Sequence, residues 1–145
     1  MDYYFSAAGD AEALRATDLP SGPMPGSEGL DPVEAKGVLG SALEELVAMA
    51  NGAGNQQVMA RTLPLWPETP TNPEDYEPGP FLTRLPDGLR DDLAKLAVTP
   101  ALAAKWADEL FGYGPAEAEQ VAGRIVRLAR SGRDQNRSIY WWSEM

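Results

Sequence analysis

The stretch Ser-Ile-Tyr-Trp-Trp-Ser at residues 138–143 predicts a β-strand near the C-terminus. Its aromatic and β-branched side chains fit a pleated, half-buried surface better than a helix. Near the N-terminus, residues 2–8 are Asp-Tyr-Tyr-Phe-Ser-Ala-Ala, and alternation places Tyr3, Phe5 and Ala7 on one face of a second strand. The two stretches hold six of the twelve aromatic residues of the chain. We therefore expect both to be core strands of one sheet.

The three aromatic residues Tyr140, Trp141 and Trp142 cannot all point inward, because successive side chains of a strand face opposite sides of the sheet. In one arrangement the last helix covers Tyr140 and Trp142, while Trp141 packs against another layer. In the other, part of the trio is exposed and anchors a partner, since Trp and Tyr are frequent at the energetic centres of interfaces. Trp141 is therefore a candidate partner-binding residue.

Two more strands are predicted in the first half of the chain, at residues 33–38 and 58–65. Pro64 has no backbone N–H to donate, so the second of these strands belongs at a sheet edge. From this proline the residues Pro64, Pro67, Pro70 and Pro73 recur at every third position, which is the period of a polyproline II helix. Residues 64–80 are therefore predicted to form an extended, proline-rich connector.

Helical spacing of apolar residues accounts for much of the remaining chain. Ser41–Glu44 has the pattern of a capping box, and Thr99–Pro100 has that of an N-cap followed by a first-turn proline. Gly114–Pro115 would open the last helix and Gly132 would end it. About four helices would pack on a small mixed sheet formed by the N-terminal, central and C-terminal strands. The prediction is an α+β fold in which residues 1–145 form one domain.

The charge of the chain is strongly acidic and unevenly distributed. Twelve Lys and Arg stand against 22 Asp and Glu, for a formal charge of −10. Residues 1–80 carry three basic and thirteen acidic side chains, and residues 81–145 carry nine of each. Because Lys and Arg drive phosphate binding, we expect no nucleic-acid partner. An acidic surface instead favours a protein partner with a basic surface.

The composition also excludes several kinds of chemistry. The chain has no His and no Cys, which rules out disulfides, thiolate and imidazole metal sites, and Ser-His or Cys-His nucleophiles. Adjacent carboxylates such as Asp91 and Asp92 do not face one another on a helix, as two-carboxylate catalysis would need. Lys36 could serve as a base if burial lowered its pKa, but an ion pair with Glu34 or another carboxylate is the favoured interpretation. We expect no cofactor, no metal and no enzymatic activity.

No apolar run approaches the roughly 20 residues needed to cross a bilayer. The first residues have neither the basic region nor the apolar region of a secretory signal. These observations favour a cytoplasmic protein without a membrane partner.

Three segments carry a resemblance to a known group of proteins. They are Tyr-Phe-Ser-Ala-Ala-Gly-Asp at residues 4–10, Val-Glu-Ala-Lys-Gly-Val-Leu-Gly at 33–40, and Arg-x-x-x-Arg-Ser-Ile-Tyr-Trp-Trp-Ser at 133–143. Together they resemble uncharacterised actinobacterial proteins that are distantly similar to YfbM-like proteins of unknown function. The resemblance covers most of the chain and implies no catalytic residues. In size, charge and fold class the chain is also similar to immunity proteins that neutralise bacterial toxins.

The favoured hypothesis is a non-catalytic binding module, an immunity or inhibitor protein that covers a basic surface of a toxin. Its candidate partner-binding residues are the acidic and aromatic residues of the loops in the first half together with one tryptophan: Glu28, Asp31, Glu68, Glu74, Asp75, Tyr76, Glu77 and Trp141. Two alternatives remain open. One is a phage or mobile-element inhibitor that mimics nucleic acid, and the other is an enzyme that uses carboxylates alone.

Overall fold

The computed structural model describes residues 2–15, 32–51, 63–66 and 81–143. Within these residues the chain forms a five-stranded sheet and five helices, so the predicted α+β class is confirmed. The strands are β1 (Asp2–Ala7), β2 (Val33–Glu34), β3 (Leu63–Trp66), β4 (Phe81–Arg84) and β5 (Ser138–Ser143). The helices are α1 (Asp10–Leu14), α2 (Gly40–Ala50), α3 (Asp87–Ala94), α4 (Pro100–Ala107) and α5 (Pro115–Asp134).

The sheet has the order β2-β1-β5-β4-β3, which places the first and last strands side by side in its interior. Strands β1 and β5 pair antiparallel from Asp2 opposite Ser143 to Ala7 opposite Ser138. Aromatic rings meet across this pair, with centroids 5.8 to 6.2 Å apart. Such cross-strand aromatic pairs stabilise a sheet beyond the area that they bury. The expectation that both chain ends supply strands of one sheet is confirmed.

Several predicted details of the sheet need correction. The described strand pairs are all antiparallel, so the sheet is not mixed. Strand β2 covers Val33–Glu34 only, because the chain turns at Gly37, where φ is +78°. Strand β3 does lie at an edge, as Pro64 indicated, but it covers Leu63–Trp66. The rest of the connector, residues 67–80, lies outside the described residues, as do residues 58–62. Strand β4 is an addition that the sequence analysis missed.

The two faces of the sheet belong to two apolar clusters. The larger cluster joins Tyr4 of β1 and Ile139 of β5 to α2, α3, α4 and α5. The smaller one lies on the other face, where Phe5 and Tyr140 pack with Ala13 of α1. Helix α5 crosses the first face with a stripe of buried residues that includes Ala118, Val121, Ala122, Ile125, Val126 and Ala129. Burial of this stripe supplies much of the hydrophobic stabilisation of the domain.

The helix ends show which sequence signals are used. Thr99 caps α4 as predicted, and its hydroxyl accepts a hydrogen bond from the Leu102 N–H at 3.1 Å. Helix α2 begins at Gly40 after Leu39, so the capping box predicted at Ser41–Glu44 is wrong. Helix α5 passes through Gly132 and ends at Asp134, so the predicted stop is also wrong.

Helix α5 ends in a Schellman motif. Asn136 adopts a positive φ of 54°, the Arg137 N–H donates to the Gly132 carbonyl, and the Asn136 N–H donates to the Arg133 carbonyl. Gly132 is buried against the segment that follows. A Cβ at this position would lie 3.1 Å from both the Arg137 carbonyl oxygen and the Ile139 side chain. Close packing, and not helix termination, is therefore what requires glycine there.

Candidate interaction surface

Two loops meet at one end of the molecule, beside the start of α2 and the end of α4. The Tyr113 hydroxyl, on the loop between α4 and α5, donates to the Lys36 carbonyl at 2.7 Å. The indole N–H of Trp106 donates to the Ala42 carbonyl at 2.8 Å and holds the two helices together close by. Gly112 takes a φ of +82°, which lets the loop turn between the buried Leu110 and the bonded Tyr113.

Phe111 projects from this loop into solvent. Its side chain is 99% exposed, and Leu39 on the adjoining loop is 48% exposed. Within residues 2–15, 32–51 and 81–143, no other large hydrophobic side chain is exposed. Single exposed apolar residues are common on proteins, but a fully exposed phenylalanine on a fixed loop is a typical interface anchor. The neighbours of Phe111 along the chain hold its backbone, so the loop is already ordered for a contact.

The loops that carry the two exposed apolar side chains also carry exposed carboxylates, or lie next to them in the sequence. We use the name Phe111 surface for Leu39, Phe111 and Tyr113 together with the exposed acidic residues Glu34, Asp108, Glu109 and Glu117. Burial raises the pKa of the Tyr113 hydroxyl. The neighbouring carboxylates raise it further, in the order Asp2, Glu117 and Glu34, which places these negative charges near the ring. The Phe111 surface therefore combines exposed apolar side chains with negative charges, of which Glu117 and Glu34 act on Tyr113.

Asp2 anchors the loop that carries Lys36. Its side chain is 6% exposed, and Oδ2 accepts from the Gly37 N–H at 2.8 Å while Oδ1 accepts from the Trp141 indole N–H at 3.0 Å. The Asp2 carbonyl also accepts from the Ala35 N–H at 2.8 Å. One buried carboxylate thus fixes the turn after β2, on which the Tyr113 contact depends. Nothing in the sequence pattern singled out Asp2.

Trp141 lies on the face of the sheet that the long helices cover. It packs against the larger apolar cluster, stacks on Tyr4 with centroids 6.2 Å apart, and remains partly exposed. Tyr140 and Trp142 point to the other face, which is the reverse of the predicted arrangement in which the last helix covered them. The role of Trp141 in partner binding stays a prediction, and its N–H is already used by Asp2.

The other candidate partner-binding residues cannot be placed. Glu28, Asp31, Glu68, Glu74, Asp75, Tyr76 and Glu77 all lie outside the described residues. The acidic groups that the structure does bring together at the Phe111 surface come mainly from the second half of the chain, where the net charge is zero. Counting acidic and basic residues along the sequence therefore did not reveal the exposed carboxylates of the Phe111 surface.

Lys36 is exposed on the loop beside the Phe111 surface. It forms no ion pair with Glu34 or with any other described carboxylate, so the ion pair favoured for it is absent from the described part of the chain. Its contribution to the fold is the backbone carbonyl that accepts from Tyr113.

A second polar cluster lies at the opposite end of β1 and β5. Asp10 accepts from the Tyr140 hydroxyl at 2.6 Å and from Arg84 at 3.3 Å. Asp87 accepts from the Ser138 hydroxyl at 2.8 Å and also faces Arg84, at 3.5 Å. Burial raises the pKa of Tyr140 well above its usual range, and the hydrogen bond to Asp10 raises it further.

This arrangement joins α1, α3, β4 and β5, and it has the character of a structural clamp. Both carboxylates, Asp10 and Asp87, are engaged by the same guanidinium group, that of Arg84. The raised pKa keeps the Tyr140 hydroxyl protonated at neutral pH, where it acts as a hydrogen-bond donor and not as a base. The cluster therefore offers little support for the hypothesis of a carboxylate-only enzyme.

Among the residues that the structure describes, no three carboxylates lie together as ligands of a metal ion. No helix within the described ranges has the length and apolar character needed to cross a membrane.

No protein-family model, no curated protein and no solved structure matches this chain. The resemblance to YfbM-like proteins and the likeness to immunity proteins therefore stay predictions, and the function has to be argued from the Phe111 surface itself.

Proposed function

We propose that the protein is a non-catalytic binding module, an immunity or inhibitor protein that uses the Phe111 surface to cover a basic surface of a partner protein such as a toxin. The observation that carries this proposal is the 99% exposed Phe111 side chain on a loop fixed by the Tyr113 hydrogen bond. The exposed carboxylates of the same surface supply the charge that a basic partner would meet.

An exposed phenylalanine on an ordered loop supplies binding energy at small entropic cost. Full burial of such a side chain contributes about 1.5 to 3 kcal/mol. Because Tyr113 and the buried Leu110 already fix the loop on both sides of Phe111, little backbone freedom is lost when a partner binds. An apolar centre with a polar rim is also the usual anatomy of a protein interface.

The exposed carboxylates argue for the chemistry of the partner. Glu34, Asp108, Glu109 and Glu117 are exposed on the loops and helix ends that form the Phe111 surface, and Lys36 is exposed on one of these loops. A complementary surface would place Lys and Arg around an apolar pocket. Such charges speed encounter and reject acidic competitors more than they tighten the final complex.

The same observation weighs against the alternative of a nucleic-acid mimic. A mimic needs carboxylates spaced like phosphates, and an exposed phenylalanine in their midst adds nothing to that imitation. An apolar anchor needs an apolar pocket, which a folded protein partner provides. The Phe111 surface therefore favours recognition of a protein pocket.

The test is affinity capture from the native organism with the full chain immobilised, followed by identification of the bound proteins and a growth-protection assay with any toxic one. We expect the wild type to capture a basic protein, and to capture it more slowly at 1 M salt, where exposed charges are screened within about 3 Å. Phe111→Ser should lose that protein while it melts like the wild type. Asp92→Asn, an exposed change far from the Phe111 surface, is the matched control and should retain it.

Equal capture and equal protection by wild type and Phe111→Ser would contradict the proposal. If Asp92→Asn lost capture while Phe111→Ser retained it, the interface would lie at the other end of α2 and the proposal would be wrong.

A further inference from the structure

A groove of about 660 Å³ opens at the end of the α2 and α4 pair that lies away from Phe111. The end of α2, the end of α3 and the start of α4 form its walls. Helices α2 and α4 run antiparallel, since Trp106 near the end of α4 bonds to Ala42 near the start of α2. The 11 residues of α2 span roughly 16 Å, so Met49 in the groove lies far from Leu39, whereas Lys105 is only three residues from Asp108 of the Phe111 surface.

The groove combines an apolar floor with two cationic side chains. Val47, Met49, Leu96 and Leu102 supply apolar surface. Lys95 and Lys105 line the same space, and Asp92 also borders it. Seven of the twelve lining residues are apolar and five are polar or charged, and the volume lies in the range of small-molecule sites.

Neither lysine of the groove is used in an ion pair within the described part of the chain. In a chain where 22 acidic residues face 12 basic ones, Lys95 and Lys105 form no ion pair with any described residue. The carbonyls of Ala94 at the end of α3 and of Leu96 after it accept hydrogen bonds from a different side chain. Arg130 donates to the Ala94 carbonyl at 2.9 Å and to the Leu96 carbonyl at 3.0 Å. The positive end of α4 also opens on the groove, which adds to a potential that favours an anion.

We propose that this groove binds an amphiphilic carboxylate, a small molecule with an apolar body and one anionic head. The apolar body would cover the floor beside Met49 and Leu102, and the head would lie between Lys95 and Lys105. Charge complementarity selects the anion, since Lys95 and Lys105 outnumber Asp92 within a chain that is otherwise acidic. The site is independent of the proposed function, which uses the other end of the molecule.

The experiment titrates the full chain, labelled with ¹⁵N, with decanoate below its micelle concentration and follows amide shifts. Decan-1-ol and decyltrimethylammonium, which share the apolar chain, are the neutral and cationic comparisons. We expect saturable shifts at Met49, Leu96 and Lys105 with decanoate. Decanol should bind roughly tenfold more weakly, because it lacks two charge contacts worth up to about 1 kcal/mol each. The cation should bind more weakly still.

Substitutions then assign the head-group contacts. The double variant Lys95→Gln/Lys105→Gln should lower the affinity for decanoate by about fivefold to tenfold and leave the affinity for decanol unchanged. Lys36→Gln removes an exposed lysine at the other end of α2, one that pairs with no described carboxylate, and this variant should bind decanoate like the wild type. All three positions are exposed, so melting curves should coincide with that of the wild type.

Absence of saturable shifts in the groove, equal binding of decanol and decanoate, or an unchanged decanoate affinity in the double variant would each overturn the proposal. Binding of an acidic amphipathic peptide at the groove without binding of decanoate would also overturn it and identify a peptide site. Phe111→Ser should bind decanoate normally, so failure here and failure of the proposed function can be told apart.

Discussion

Asp2 is the residue whose removal should most clearly connect stability with the Phe111 surface. Its carboxylate is almost fully buried and accepts two hydrogen bonds, one from the Gly37 N–H and one from the Trp141 indole N–H. Asp2→Ala removes this acceptor from two part-buried hydrogen bonds, since Gly37 is exposed and Trp141 is partly exposed. Each lost hydrogen bond to a charged group costs up to about 3 kcal/mol, and less where water reaches the donor. We therefore expect Asp2→Ala to lower the free energy of unfolding by about 2 to 5 kcal/mol, a large part of a typical 5 to 15 kcal/mol.

The assay is equilibrium unfolding in urea at pH 7, with tryptophan fluorescence as the signal. Asp2→Asn keeps one oxygen acceptor but places an amide N–H beside a donor, so it should lose about half as much stability. Asp134→Asn is the matched control, because it also removes one negative charge, and its pair with Arg133 is exposed. It should stay within about 1 kcal/mol of the wild type.

An Asp2→Ala midpoint close to that of Asp134→Asn would refute this account of the N-terminal anchor. A second readout concerns the turn itself. Gly37 lies beside Lys36, whose carbonyl accepts from Tyr113. Loss of the Asp2 contact should therefore also increase hydrogen exchange in residues 35–39 under conditions where the domain remains folded.

Three further substitutions, two of them with matched controls, test the packing at Gly132, the Thr99 cap of α4 and the titration of Tyr140. Gly132→Ala should lower the free energy of unfolding by about 1 to 2 kcal/mol in thermal unfolding, since its Cβ would lie 3.1 Å from a backbone oxygen. Gly123→Ala, whose Cβ would meet nothing within 4 Å, should raise it by up to about 1 kcal/mol. Thr99→Ala should cost about 1 kcal/mol in urea, and Ser41→Ala, which loses no cap, should cost less than about 0.5 kcal/mol. Because the pKa of Tyr140 is raised by burial, the folded state keeps a proton that the unfolded chain releases near pH 10. Melting curves should therefore show that stability is intact below pH 10 and decreases above it. The stability of Tyr140→Phe should decrease less steeply over the same range. Equal changes in stability for Gly132→Ala and Gly123→Ala, or for Thr99→Ala and Ser41→Ala, would contradict the contact concerned. An equal decrease of stability above pH 10 in Tyr140→Phe and the wild type would contradict the role given to the Tyr140 hydroxyl.

The strands at the two chain ends could be predicted because their side chains are unambiguous. Both segments, 2–7 and 138–143, contain three consecutive aromatic residues, which favour a strand over a helix. The two strands pair with each other along their whole length. Which face the helices would cover could not be predicted, since alternation defines two faces without identifying them. Strand β4 escaped notice because its four residues, between Pro80 and Pro86, are too few to show a period.

The helix signals failed where tertiary contacts override local pattern. Ser41 and Glu44 have the spacing of a capping box, but Asp2 and Tyr4 hold the backbone at Gly37 and Val38, so the chain enters α2 earlier. The Phe111 surface was missed for a related reason. Phe111 follows Leu110 at a helix end, and only the position of the neighbouring loop shows that one is buried and the other exposed. The sequence signal was a phenylalanine off the apolar stripe, beside Gly112.

The exposed carboxylates of the Phe111 surface have a second consequence for an exposed phenylalanine. An apolar side chain in solvent invites contact with a second copy of the same chain. Two copies that meet through the Phe111 surface would bring Asp108 and Glu109 of each against the same residues of the other, and like charges placed together oppose association. A partner has to supply cations of its own in order to approach. These carboxylates therefore disfavour self-association through Phe111, and under the proposed function the same charges would attract the basic partner.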